Sequence, residues 1–145
     1  MGDAVIKRGK GIVWGLLLLR LGLGLSLLLW SFDKIMSPEA SVEIFSSYYF
    51  LDLSPSLVMI IGSIELVISF LYIFGMFKTF IYSMGLVIHG IATAARFNEL
   101  LSPFGNNQQV ISYVPLLCAF AALLFMRHFD TQWSLGKKQQ LFARN

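Results

Sequence analysis

Long apolar stretches separated by short polar ones set the pattern of this chain. Residues 12–30, 57–74, 79–95 and 109–126 are continuous enough in apolar character to approach the span of a bilayer, which takes about 20 residues as a helix. Between the first two, the pattern changes. Val42, Phe45, Tyr49 and Phe50 recur at helical spacing among serines and glutamates, which predicts a short amphipathic helix lying at the interface from Pro38 to about Phe50. Its start is marked by Ser37 in the cap position, Pro38 in the first turn and Glu39 near the positive end of the helix dipole. Leu53-Ser54-Pro55 ends it. Gly75-Met76-Phe77-Lys78 reads as a tight turn, and residues 96–108, with Pro103, Gly105, Asn106 and Asn107, as a polar loop. The predicted fold is therefore an all-α membrane protein. It is a four-transmembrane-helix bundle with a short interfacial helix between spans 1 and 2, and residues 1–145 form one domain.

Composition supports this. Of 145 residues, 57% are hydrophobic and 13% charged, with a mean hydropathy of +0.72, too little polar surface for a soluble domain of this size. The net charge of +3 does not point to nucleic acid, because the basic residues cluster at membrane edges. With the N-terminus inside, Lys7, Arg8, Lys10, Lys78, Arg127, Lys137, Lys138 and Arg144 fall on the inner side and only Lys34 and Arg96 on the outer. That asymmetry predicts four spans with both termini cytoplasmic. Lys7, Arg8 and Lys10 before an apolar run imitate a signal peptide. The run is too long, however, it contains Arg20, and Trp30-Ser31-Phe32-Asp33 is no small-residue cleavage site. A retained first span is expected.

Arg20 is the anomaly within that span. A charge at the centre of a membrane helix costs about 2.5–3.5 kcal/mol on insertion scales, so a partner is expected. Counted at about 1.5 Å per residue, Arg20 lies about ten residues above the inner boundary, and Glu65 about nine below the outer boundary on the second span. The expectation is an Arg20–Glu65 ion pair near the midplane. His89 falls at similar depth on the third span, sharing a face with Tyr82, Gly85, Thr93 and Arg96. Arg20, Glu65 and His89 are thus candidates for a ligand or proton site, with a polar knot fixing helix register as the structural alternative. Lys34 and Arg96 are candidates for an outer mouth able to attract a small anion, or simply snorkelling cations. Cys118, the single cysteine, reads as a small buried hydrophobe. It permits no intrachain disulfide and no CxxC relay.

No metal cluster, CxxCH or phosphate-cradling glycine loop occurs. His89 and His128 lie roughly 15 Å apart along the axis, too far to share one haem. No covalently bound cofactor is expected and no catalytic residue can be named. Gly11 and Gly15 form a GxxxG pair, and Gly22 and Gly24 thin the first helix near Arg20, features that suit close helix packing.

Several short motifs occur in order: Leu19-Arg20-Leu21-Gly22-Leu23-Gly24, Phe32-Asp33-Lys34-Ile35 with Pro38 after it, Gly62-Ser63-Ile64-Glu65-Leu66, and Phe74-Gly75-Met76-Phe77-Lys78-Thr79. Together they resemble the DoxX family of small four-span membrane proteins, from about Gly11 to Ala95 and in outline beyond. The resemblance implies a four-helix bundle in the bacterial inner membrane, with Arg20, Lys34 and Glu65 as shared polar positions. It also implies links to sulfur and quinone redox chemistry, some members resembling subunits of a thiosulfate:quinone oxidoreductase. The expected function is a subunit of a quinone-linked, thiosulfate- or sulfur-related redox system, not catalytic alone, with a quinone near the polar cluster. The expected partners are the lipid bilayer, other membrane or periplasmic redox subunits and, as an open option, further copies of the chain. The alternative is a non-catalytic scaffold or assembly subunit, and a small-molecule carrier is a third class.

Overall fold

Two Ser-Pro pairs set the starts of the second and third helices. Ser37 precedes α2 (Pro38–Tyr49), and Ser54 precedes α3 (Pro55–Ile73). Proline fits this first position because its missing N–H would have had no helical partner. Ser54 also caps, its Oγ accepting from the Leu57 N–H at 3.4 Å, whereas Ser37 makes no side-chain cap. In this computed structural model, the described residues are 2–135 for the backbone and 9–135, apart from Asn106, for the side chains. Lys7, Arg8, Lys137, Lys138 and Arg144 from the orientation count lie outside the described side chains.

The first helix, α1 (Gly2–Met36), is longer at both ends than the predicted 12–30. At about 1.5 Å per residue its 35 residues span roughly 52 Å, more than a hydrocarbon core. After α3 the chain reverses through Gly75 and Phe77, both with positive φ (61° and 43°), into α4 (Lys78–Ala95). A short α5 (Phe97–Leu100) and a 3-10 turn (Gly105–Ser112) lead to α6 (Tyr113–Phe125). The α-helix starts at Tyr113 and not at residue 109, with Pro115 in its first turn, where a missing N–H is tolerated.

Most of the described residues are helical, with no strand among them. Among the described residues, three stretches are long and apolar enough to cross a membrane: Gly9–Met36, Pro55–Ile73 and Asn107–Phe125. The helix α4 is not among them. Lys78, Tyr82, His89 and Thr93 lower its hydropathy, and all but Lys78 are buried.

Helices α1, α3, α4 and α6 form a ring, α1 and α4 each packing against both α3 and α6, while α2 lies across α1 and α3. Leu23, Leu27, Ile68, Tyr72, Tyr82 and Phe120 fill the centre. Leu18, Leu29, Ile64, Val67, Phe80 and Val87 face outward, more than half exposed, as residues that meet lipid do. Two glycines set the α1–α3 register. A Cβ on Gly24 would meet Ile73 at 2.5 Å, and one on Gly62 would meet Lys34 at 2.8 Å and the Ser31 carbonyl at 3.1 Å. A Cβ on Gly11, Gly15 or Gly22 would meet nothing within 4 Å, so the GxxxG pair packs against no helix among the described residues.

Candidate functional site

The same register separates Arg20 from Glu65. If Gly24 faces Ile73 and Lys34 faces Gly62, Glu65 lies level with about residue 32 of α1. That is 12 residues beyond Arg20, roughly 18 Å along the axis. The expected Arg20–Glu65 pair does not form. Depth counted from an inner boundary about ten residues before Arg20 does not apply, because α1 runs on through that point.

Arg20 is answered from an element that composition reads as a tail. Beyond α6 the chain folds back, and Asp130 is fully buried against the bundle. Arg20 Nη1 donates to Asp130 Oδ1 and Oδ2, both at 2.8 Å. Its Nη2 donates to the carbonyls of Gln132 (2.8 Å) and Trp133 (3.2 Å). Trp133 adopts a left-handed φ of 48° in the turn that offers both carbonyls. Tyr82 donates its phenol to Asp130 Oδ2 at 2.6 Å, and Lys78 Nζ donates to the Asp130 carbonyl while standing 3.7 Å from Oδ2. The backbone locks the same segment to the α3–α4 turn: Leu135 N–H donates to the Phe74 carbonyl and Ser134 Oγ to that of Gly75. This end of the bundle is a closed clasp.

The other end holds a half-enclosed cavity of about 330 Å³ beneath α2. Three of the five candidate residues line it: Lys34, Glu65 and Arg96. Lys34 Nζ donates to Glu65 Oε2 at 2.8 Å, joining α1 to α3. Arg96 Nη1 donates to Glu99 Oε2 at 3.1 Å, and its guanidinium lies 4.2 Å from the ring centroid of Tyr48 on α2 and 5.7 Å from that of Tyr113. Tyr48 donates its phenol to Glu99 Oε1 at 2.6 Å, tying α2 down over the cavity. That bond to a carboxylate, with burial second, raises the Tyr48 pKa above the ordinary phenol value. Trp30, Tyr113, Ile61, Ile88 and Ala92 form much of the remaining wall. Because each cation is matched by a carboxylate, the mouth presents donors without a positive field. The small-anion reading of Lys34 and Arg96 thereby loses its basis.

His89 stands one layer behind this wall. It is fully buried and stacked against Trp30 (5.3 Å), Tyr113 (5.5 Å) and Phe120 (5.3 Å). Its Nε2 is 2.9 Å from the Tyr113 carbonyl, which accepts if that nitrogen carries the proton, and Nδ1 has no hydrogen-bond partner among the described residues. The imidazole therefore supports the two rings that face the cavity, and Arg20 takes no part in the site. Cys118 is exposed on the outer face of α6 and not buried. Among the described residues, no group of His, Cys, Asp and Glu could hold a metal ion.

Sequence reasoning missed Asp130, Tyr48, Glu99 and Trp30. Tyr48 had a usable signal, since it lies one residue from the apolar stripe of the interfacial helix. Asp130 had a weaker one: Phe129, Trp133 and Leu135 flank it with more apolar surface than a solvated tail needs.

No family model, curated protein or solved structure matches this chain.

Proposed function

We propose that this chain is a DoxX-type, four-span subunit of a quinone-linked redox system, with the α2-covered cavity as the ligand site. The cavity is the observation that carries the reading. It has aromatic walls for a flat ring, Lys34 and Arg96 as hydrogen-bond donors for a carbonyl, and the Glu65 carboxylate as an acceptor for a hydroxyl. Such a mixed set suits a neutral head that interconverts between carbonyl and hydroxyl forms. The four-span reading takes α4 as the remaining span, since Phe80, Val87 and Ile91 on its outer face are more than half exposed. The basic-residue asymmetry supports cytoplasmic termini in a bacterial inner membrane, the cavity then opening toward the outer leaflet. Because the sequence names no catalytic residue, the reading places the chain beside other membrane or periplasmic redox subunits and not as a catalyst alone.

Purification in mild detergent, followed by identification of co-purifying proteins and quinone, tests this. Quinone and a redox partner are expected, and a clean preparation with neither overturns the reading. The scaffold alternative draws on one observation, the clasp at the opposite end, where the buried Arg20–Asp130 pair ties α1 to the returning segment.

A further inference from the structure

At the clasp end, a groove of about 540 Å³ runs between α1, α3 and the returning segment. Leu21, Ile73 and Phe74 give it apolar walls, Thr131 and Ser134 a polar rim, and Arg20 part of its floor. Arg20 is fully buried, yet its Nε–H has no hydrogen-bond partner among the described residues. A buried donor left in this state is uncommon and marks a place for an acceptor. We propose that the groove binds an anionic glycerophospholipid. A phosphate oxygen accepts from Arg20 Nε–H and the Thr131 hydroxyl, and an acyl chain lies along Leu21, Ile73 and Phe74.

Two further observations favour this occupant over others. Charge is the first. Among the described residues, this end carries Lys10, Arg20, Lys78 and Arg127 against the single carboxylate of Asp130, a balance that attracts anionic headgroups. Depth is the second. Trp133 lines the groove and meets Trp14 edge-on, with ring centroids 6.0 Å apart. Paired tryptophans of this kind settle at the headgroup level. The groove thus begins where headgroups lie and continues along apolar side chains, the shape of a lipid and not of a free anion. The site is separate from the α2-covered cavity and does not depend on the reading given to it.

The full-length protein, purified in mild detergent and stripped of lipid, is offered equal amounts of phosphatidylglycerol and phosphatidylethanolamine and examined by native mass spectrometry. The expected result is one retained lipid per chain, with phosphatidylglycerol preferred about fivefold, the effect of one basic residue near an anionic surface. Leu21→Trp, which fills the groove, abolishes retention. Thr131→Val, an exposed change that leaves the clasp intact, weakens the preference without altering thermal stability. Equal retention of the two lipids overturns the proposal, as does undiminished retention in Leu21→Trp. If inorganic phosphate displaces the lipid or stabilises the protein as strongly as phosphatidylglycerol, the site is an ion site and the proposal is wrong.

Discussion

Removing either side of the Arg20–Asp130 pair leaves a buried group without its partner, and the two losses differ in size. In Asp130→Leu, the guanidinium keeps only the carbonyls of Gln132 and Trp133, and Lys78 loses its nearby carboxylate. Breaking a buried ion pair from one side costs about 3–5 kcal/mol, and this variant belongs at the upper end. In Arg20→Met, Asp130 keeps the Tyr82 hydroxyl and Lys78, which places the loss nearer about 3 kcal/mol. The double variant removes both charges of the pair and orphans the two carbonyls and the buried Tyr82 hydroxyl, for about 3 kcal/mol in total at the lower end of 1–3 kcal/mol per buried unsatisfied group. The single losses sum to about 8 kcal/mol, so the cycle predicts a coupling of roughly 5 kcal/mol. Reversible unfolding in mixed micelles, titrated with a denaturing detergent, measures all four proteins. A double variant that loses the full sum of the singles refutes the clasp. The matching cycle of Arg20→Met with Glu65→Leu is expected to be additive, because about 18 Å separates the two along the bundle.

Lys34→Met and Glu65→Leu remove a pair that is only partly buried. Each is expected to cost about 1 kcal/mol or less in the same unfolding assay, while lowering quinone recovery on purification. Alkaline titration addresses α2. The Tyr48 pKa is raised in the folded chain, so its stabilisation is complete below the unfolded phenol value of about 10 and is lost as pH rises through the folded value. Protection of α2 from hydrogen exchange, taken relative to the base-catalysed intrinsic rate at each pH, should therefore fall at high pH in the native protein, whereas Tyr48→Phe should show lower protection already at neutral pH and a flatter profile. Gly85→Ala places a Cβ 2.7 Å from the Tyr72 ring and 3.1 Å from that of Phe120. A loss of about 1–3 kcal/mol is expected from such overpacking, read by thermal unfolding in detergent.

Local signals in the sequence placed the starts of α2 and α3 and the α3–α4 turn, because Ser-Pro pairs, the Gly75 turn and the apolar stripe of α2 act within a few residues of where they are written, while the ends of α1 and the start of α6 lay elsewhere than expected. They also brought Lys34 and Arg96 to the same end of the bundle, where both line one cavity, while Glu65, expected at the midplane beside Arg20, joins them there instead. The partnership of Arg20 was not legible, because it depends on how far α1 extends past the bundle and on where Gly24 and Gly62 fix the sliding of α1 against α3. Depth counted from the edge of an apolar run does not report either. Asp130 was hidden for a related reason. It becomes a core residue only when residues 126–135 turn back, and that return rests on contacts to residues more than fifty positions away, at Arg20, Gly75 and Lys78. His89 shows the reverse case. Its burial was foreseen from its place on α4, while its role as backing for Trp30 and Tyr113 needed the three helices in place.

The ligand claim is tested most directly by fluorescence of a protein that keeps Trp30 as its one tryptophan, with Trp14 and Trp133 changed to Phe. Titration with a short-chain quinone should quench Trp30 saturably, and Ala92→Phe, which projects a ring into the cavity, should remove the effect. Quenching no greater than that of free tryptophan in the same micelles, or quenching unchanged by Ala92→Phe, would contradict the account.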